Sequence, residues 1–280
     1  MNDLEDVPPT VDRLLEILEL ERLDRDLFRG YNPEHRHGGR LFGGQVAAHA
    51  LRAATHTVDV EHHPHSLHGY FLRPGQPGRP TILQVDRIRD GKSFTTRRVV
   101  AIQDGEAIFS LSASFHKDEG GGEYAVPLPS GLPAPDQAEG WHDSPMRAFD
   151  TMSPFEVREL APAPKDERGV FPWTRRAWIR TRGPLPDDRA LHACVLTYIS
   201  DMGAVYAARL ALEVPWGKGM GASLDHALWF HRPIRPDGWV LFDLRPISNA
   251  GARGLVVGSL YAADGTLGAS IAQEGLIRTD

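Results

Sequence analysis

An internal repeat constrains this chain more than any other feature of its sequence. Residues 71–74 read FLRP, and residues 230–233 read FHRP, 159 positions later. Asp104-Gly105, a hairpin turn signal between alternating segments, is matched by Asp264-Gly265, 160 positions later. The two halves therefore predict the same structural unit twice. Because a unit of this size covers a sheet and a helix poorly alone, we expect the two units to pack together.

Both halves show the same order of elements, an apolar helix followed by strands that end in a long hairpin. An α+β fold is therefore predicted, with two tandem repeats in which a curved antiparallel sheet wraps a long central helix. Residues 191–200 fit such a helix because they are apolar around most of its circumference. The predicted helices cover 11–23, 45–58 and 191–212, and the predicted strands cover 67–73, 81–89, 94–115, 174–181, 223–232, 239–246 and 253–277.

The periodic pattern is lost between the two halves. Residues 118–140 are dominated by Gly, Pro and acidic residues, which is typical of a linker or surface loop. We therefore predict an N-terminal domain over 1–116, a connecting region over 117–170 and a C-terminal domain over 171–280. The C-terminal domain is expected to carry the catalytic residues.

Charge and cysteine content narrow the class of protein. The net charge of −6 argues against a nucleic-acid-binding protein, which usually needs a basic face. The single cysteine, Cys194, lies in an apolar run, allows no disulfide within the chain and fits a small core residue better than a nucleophile. No apolar run has the length of a membrane span, and the acidic N-terminus lacks a signal core, so we expect a cytoplasmic protein.

Three polar residues of the second half are candidates for chemistry. Asp201 ends the apolar run of residues 191–200, where a carboxylate either terminates the helix near Gly203 or serves a reaction. Gln273 alternates with three apolar residues of the last strand and should therefore point inward. Ala113 occupies the matching place in the first half, so this asymmetry favours a site in the second. Ser223, where a strand begins, is by itself an ordinary polar residue.

Seven motifs, in order along the chain, resemble the acyl-CoA thioesterase II family. The resemblance covers nearly the whole chain outside the 117–170 connection. It implies the double hotdog fold, no cofactor or metal, and the hydrolysis of acyl-CoA to free fatty acid and CoA. The motifs are FRG at 28–30, LFGGQ at 41–45, HSLHGYFLRPG at 65–75, RDGKSFTTRRV at 89–99, YISD at 198–201, LDHALWFHRP at 224–233 and QEG at 273–275.

The resemblance also implies roles for individual residues. The catalytic aspartate of the family falls on Asp201 and its glutamine on Gln273, while Ser223 replaces its threonine and keeps the hydroxyl group. Asp201 would act as the general base that activates a water molecule. Gly44 and His65 are further candidates for substrate binding. The expected partner is the acyl-CoA substrate, and we expect a homo-oligomer, either a dimer or a tetramer.

Other polar clusters are open to plainer interpretations. His62, His63, His65 and His68 could suggest a zinc site, but solvated loop histidines explain them better. The adjacent Asp225-His226 could form a dyad, although neighbours on a strand point to opposite faces. The candidate residues for the CoA phosphates are arginines, and the sequence does not choose among Arg73, Arg232 and Arg253.

Two other functions are compatible with the predicted fold. A hotdog hydratase acting on enoyl-CoA typically pairs an aspartate with a nearby histidine, and no such pattern follows either helix. A non-catalytic acyl-CoA-binding protein would have no need of Asp201, Gln273 and a hydroxyl group at position 223. The sequence therefore favours the hydrolase.

Overall fold

The computed structural model describes residues 10–33, 39–138, 154–161, 174–214 and 218–279. Parts of the predicted connecting region, residues 139–153 and 162–170, lie outside the described residues. Among the described residues, no helix is long and apolar enough to cross a bilayer.

The helices of the first half are α1, Val11–Leu18, and α2, Gly43–Thr55. The predicted helix over 11–23 was too long, because the chain becomes extended at Glu19 and enters strand β1, Leu20–Asp24. Leu20 pairs there with Gly30 of the next strand, so tertiary pairing overrides the helical pattern. Helix α2 is buried on nearly all sides, as a helix wrapped by a sheet should be.

The strands of both halves form one continuous antiparallel sheet, in the order β1-β2-β4-β5-β6-β3-β10-β13-β12-β11-β8-β7, with β9 paired to β13. Strand β3 of the first half pairs with β10 of the second, and this pairing joins the two repeats. The remaining strands are β2 Leu27–Gly30, β3 His62–Phe71, β4 Thr81–Asp90, β5 Phe94–Gln103, β6 Glu106–Lys117, β7 Phe155–Leu160, β8 Arg175–Thr181, β9 Met220–Ser223, β10 Asp225–Phe230, β11 Val240–Ala250, β12 Arg253–Ala262 and β13 Leu267–Arg278.

The single helix predicted over 191–212 was wrong, because the structure has two helices there. Helix α3, Arg189–Ser200, ends at Asp201, and helix α4, Ala204–Leu210, begins after Gly203, whose φ of 80° lies in the left-handed region. Glycine adopts this backbone conformation at no steric cost. Helix α3 packs on α2 and β3, whereas α4 packs on β11, β12 and β13. The helix that packs on the strands of the second half is therefore α4.

Sequence and packing together make α4 the counterpart of α2. Residues 44–51 read GQVAAHAL, and residues 203–210 read GAVYAARL, with the same 159-residue separation as the FLRP and FHRP motifs. Each of these helices packs on the sheet of its own half. In this alignment the turn between α3 and α4 corresponds to the residues that lead into α2.

The strand register shows the same correspondence between the halves. Strand β3 has a bulge just after Pro64, and the second half has its break between β9 and β10, at Leu224. Pro64 pairs with Phe115 in the first half, as Ser223 pairs with Gly275 in the second. The register therefore makes Pro64 the counterpart of Ser223.

Candidate active site

Asp201 lies at the end of α3, where the chain turns towards α4. The turn is closed by the Met202 amide, which donates to the carbonyl of Ile199, and by the left-handed Gly203. The Asp201 side chain is turned into the protein, and the residue is only 8% exposed. Asp201 therefore terminates a helix and also places a carboxylate in the interior, so the two interpretations of its position are compatible.

Three hydrogen-bond donors from three elements converge on this carboxylate. The Nε2 atom of Gln273, on β13, donates to Asp201 Oδ1 at 2.7 Å, and Ser223 Oγ, on β9, donates to the same oxygen at 3.2 Å. The backbone amide of Gly44 donates to Asp201 Oδ2 at 2.9 Å. Gln273 Nε2 also donates to Ser223 Oγ at 2.7 Å. The structure thus brings Asp201, Ser223, Gln273 and Gly44 together.

Gly44 comes from the first half of the chain, at the start of α2. Two glycines allow this close approach: a Cβ atom at Gly43 would lie 2.8 Å from Asp201 Oδ2, and one at Gly44 would lie 2.4 Å from the carbonyl oxygen of Tyr198. The amide groups of a first helical turn have no partners within the helix and carry partial positive charge. The carboxylate of the second half therefore rests on the helix start of the first.

Behind Gln273 lies a buried histidine that the sequence analysis did not assign to the site. His226, on β10, contacts Gln273 Oε1 through Nδ1 at 2.6 Å and Ser200 Oγ through Nε2 at 2.7 Å. Asp225 faces the other way, because its Oδ1 atom accepts from the backbone amide of Glu274. The two neighbours thus form no dyad. His226 was overlooked because strand alternation was used only to argue against a pair with Asp225, and not to predict that His226 points inward.

Burial and hydrogen bonding act in opposite directions on the acid. Desolvation raises the pKa of Asp201, while the hydrogen bonds from Gln273, Gly44 and Ser223 lower it, as a positive charge on His226 would, and the net direction is upward. Burial lowers the pKa of His226, so its ring is neutral at neutral pH. Asp201 can then take up a proton more readily than an exposed aspartate, which suits a general base.

His65 and its neighbours lie elsewhere. His65 Nε2 contacts Ser114 Oγ at 2.8 Å, and its ring packs against Phe94 and His116, so the structure does not bring it together with Asp201. The interpretation of the four histidines as loop residues was wrong, because the bulged strand β3 contains all of them. Among the described residues, no group of metal-ligating side chains is present.

The remaining candidates have structural surroundings. Burial raises the pKa of Cys194 to about 12, so this thiol is not activated as a nucleophile. The three arginines considered for CoA phosphates each form an ion pair with a surface carboxylate: Arg73 with Glu106, Arg232 with Glu123 and Arg253 with Glu274.

The first half has apolar residues where the second half has these polar ones. Gln273 follows its Asp-Gly turn by nine residues, as Ala113 does, and both side chains are buried. Pro64 stands at the place of Ser223, and the helix alignment puts Phe42 at the place of Asp201. At these matching positions, all of them among the described residues, the second half alone combines an acid, a hydroxyl and an amide.

Comparison with known proteins identifies relatives over most of the chain. Residues 32–116 match the family described as "Acyl-CoA thioesterase N-terminal domain", and residues 156–276 match the family described as "Acyl-CoA thioesterase". Acyl-coenzyme A thioesterase 8 of the mouse is 36% identical over 94% of this chain and 88% of its own length.

Solved structures are similar as well. The acyl-CoA thioesterase II TesB2 of Mycobacterium marinum is 40% identical, with a TM-score of 0.81 over 95% of this chain and 98% of its own. A hot dog fold protein of Alicyclobacillus acidocaldarius, 20% identical, has a TM-score of 0.77 over 95% of this chain and 97% of its own and shows the fold alone. The predicted double hotdog fold is confirmed.

The perturbed acid can be observed directly by carbon NMR. We expect the chemical shift of the Asp201 carboxyl carbon to report a pKa above 3.8, the ordinary value for an aspartate. The reason is that burial raises this pKa by more than the hydrogen-bond donors lower it. Asp264 is an internal control, since hydrogen bonds from Thr266 lower the pKa of its exposed carboxyl. Replacing Gln273→Leu removes a donor and should raise the pKa of Asp201 further. Titration of Asp201 at or below the midpoint of Asp264 would contradict this description.

Proposed function

This chain belongs to the acyl-CoA thioesterase family and hydrolyses acyl-CoA thioesters, and we propose that Asp201 activates the attacking water with help from Ser223 and Gln273. The observation that carries this proposal is the buried carboxylate of Asp201, on which Gln273, Ser223 and the Gly44 amide converge. A carboxylate held in this way can accept a proton without being displaced from its position.

The attacking water would bind between Asp201 and Ser223. Their 3.2 Å hydrogen bond is the longest in the cluster, so it is the contact that a water molecule would replace. Ser223 and Gln273 would then orient the water, while Asp201 removes one of its protons. The resulting hydroxide equivalent attacks the carbonyl carbon of the thioester and forms a tetrahedral oxyanion.

The start of α2 is placed to complete the reaction. Gly43 and Gly44 bring the backbone of its first turn against Asp201, and amide groups at a helix start favour negative charge. We assign the stabilisation of the oxyanion to this turn. The intermediate then collapses, the bond between carbon and sulfur breaks, and CoA leaves as a thiolate that takes up a proton.

Serine at position 223 is a departure from the threonine of the resembled family. The hydroxyl group keeps both of its hydrogen bonds, to Asp201 and from Gln273. The missing methyl group leaves χ1 less restricted, so we propose that this residue alters the rate or the substrate range rather than the chemistry.

Removing the base should remove the activity. We expect Asp201→Asn to lower kcat by about 10²–10⁴-fold, because the amide keeps the shape of the carboxylate but cannot accept the proton. The assay is thiol release from a panel of acyl-CoA substrates, and a normal melting temperature would show that the variant is folded. Asp188→Asn, at the other end of α3, keeps the N-cap and should retain the parent activity. If folded Asp201→Asn kept the same kcat as Asp188→Asn and the parent, the proposed role of Asp201 would be refuted.

One site should exist per chain. We expect Gln273→Ala to impair hydrolysis strongly, and Ala113→Gln to neither rescue it nor add a second site, because Phe42 and Pro64 supply no acid or hydroxyl group there. Calorimetric titration of the parent with a non-hydrolysable thioether analogue of an acyl-CoA should give one equivalent per chain. Two equivalents per chain, or restored turnover in the Gln273→Ala/Ala113→Gln variant, would be incompatible with a single site.

We also propose that the chain works as a homo-oligomer, a dimer or a tetramer, in the cytoplasm. The support for association comes from the sheet. Its face opposite the helices exposes Tyr70 and Trp229 on the paired strands β3 and β10. Exposed aromatic side chains on such a face are typical of association surfaces. Light scattering at micromolar concentration should give at least twice the chain mass of 30.9 kDa, and the mass of one chain would contradict the proposal.

A further inference from the structure

The amide of Gln273 can serve Asp201 and Ser223 only in one of its two orientations. Its NH2 group must face Asp201 Oδ1 and Ser223 Oγ, because an amide oxygen turned towards the carboxylate would be repelled. The amide oxygen then faces Nδ1 of His226 at 2.6 Å. Because an amide oxygen only accepts hydrogen bonds, Nδ1 must carry the hydrogen.

The position of the Ser200 hydroxyl group is compatible with the same tautomer of His226. A neutral ring with hydrogen on Nδ1 has a lone pair on Nε2, and Ser200 Oγ lies 2.7 Å from that atom. The single hydroxyl hydrogen of Ser200 has two acceptors at 2.7 Å, this lone pair of Nε2 and the carbonyl oxygen of Thr197. When the hydrogen is donated to Nε2, a continuous series of hydrogen bonds runs from Ser200 through His226 and Gln273 to the carboxylate of Asp201.

We propose that His226 and Ser200 are positioning residues, which hold the Gln273 amide with its NH2 group towards Asp201 and Ser223. The inference rests on the proposed role of Gln273 in orienting the attacking water. Neither His226 nor Ser200 contacts the water in this scheme, and both act through Gln273. His226 is 1% exposed and Ser200 is fully buried, so the ring and the hydroxyl are held in place by packing.

The internal repeat supports this assignment independently. If His226 and Ser200 served only the packing of the fold, the first half would need similar residues at the matching places. The first half contains apolar residues there instead, and the same is true of the three residues of the proposed water site. The counterparts are Leu41 for Ser200, Phe42 for Asp201, Pro64 for Ser223, Leu67 for His226 and Ala113 for Gln273.

The five polar residues are therefore present together in one half and absent together from the other. Leu67 and Ala113 are paired on neighbouring strands and are both buried, which shows that this place in the sheet packs well without polar groups. A buried histidine is costly unless it is hydrogen-bonded. His226 is present in the half that has Gln273, and Leu67 takes its place in the half that has Ala113, which links His226 to the site rather than to the fold.

Two nearly identical substitutions separate positioning from packing. In His226→Asn, the side-chain NH2 group falls close to the place of Nδ1 and can still donate to Gln273. In His226→Gln, the longer side chain carries its NH2 group towards the place of Nε2 and Ser200. We expect kcat to stay within about threefold of the parent in the first variant and to fall about 10- to 100-fold in the second, because small displacements of a positioned group are costly.

The pH profile is the readout that a purely structural role would not move. Losing the donor releases the Gln273 amide and weakens its hydrogen bond to Asp201, which raises the pKa of the base. The acid limb of the profile, where kcat/KM falls as the base is protonated, should therefore move to higher pH in His226→Gln and not in His226→Asn. Asp201 and His226 affect each other's pKa. The other titratable groups coupled to them are Tyr198, which interacts with Asp201, and Asp225, which interacts with His226, and both are unchanged in the two variants. KM should change less than about twofold, since neither residue binds substrate in this scheme.

Ser200→Ala provides a test that hardly alters packing. We expect a smaller fall in kcat, about three- to tenfold, because the ring loses the donor that favours hydrogen on Nδ1. If Ser200→Ala had the same kcat as the parent and an acid limb at the same pH, the role of Ser200 would be overturned. Equal losses in His226→Asn and His226→Gln, with lowered melting temperatures and an unmoved acid limb, would show that His226 is only structural.

Gln273→Ala, measured in the same series, distinguishes this inference from the proposed function. If Gln273→Ala is impaired while His226→Gln behaves as the parent, the water site stands and the positioning role fails. If Gln273→Ala itself has the parent activity, the proposed role of Gln273 fails, and the positioning role fails with it.

Discussion

The burial of one carboxylate organises the proposed active site of this thioesterase. Asp201 is taken out of water at the end of α3, and its charge is offset by Gln273, Ser223 and the Gly44 amide. An ionised carboxylate without such partners would be unstable in the interior, while one paired with a cation would have a lowered pKa and would be a poor base. Neutral donors avoid both problems, because they stabilise the ion without abolishing its affinity for a proton.

These donors come from both halves of the chain, so the proposed site depends on both repeats. The second half supplies the acid and two side chains, and the first half supplies the helix start at Gly43 and Gly44. The continuous sheet keeps these parts in register through the pairing of β3 with β10. The first half has apolar residues at the matching places, so it contributes the backbone of the site and no second acid.

The sequence predicted the parts of this account that follow from strict periodicity. Gln273 was predicted to point inward from the alternation of β13, and the turns at Asp104 and Asp264 located both hairpins. The helix was predicted to run on to residue 212 because apolar residues resume after Gly203, although a helix end at Asp201 was one of the two interpretations of that residue. The left-handed backbone of Gly203 separates α3 from α4. His226 was missed because its role depends on two partners distant in sequence, Ser200 and Gln273.

The central claim, direct attack by a water that Asp201 activates, can be tested in one labelling experiment. A single turnover of acyl-CoA with excess enzyme in ¹⁸O-water is followed by mass spectrometry of the acid product and of the peptides containing Asp201 and Ser223. Direct attack puts one ¹⁸O atom into the acid and leaves both peptides unlabelled and free of acyl groups. Oxygen-18 in the carboxylate of Asp201, or an acyl group on Ser223, would instead show covalent catalysis and contradict the account.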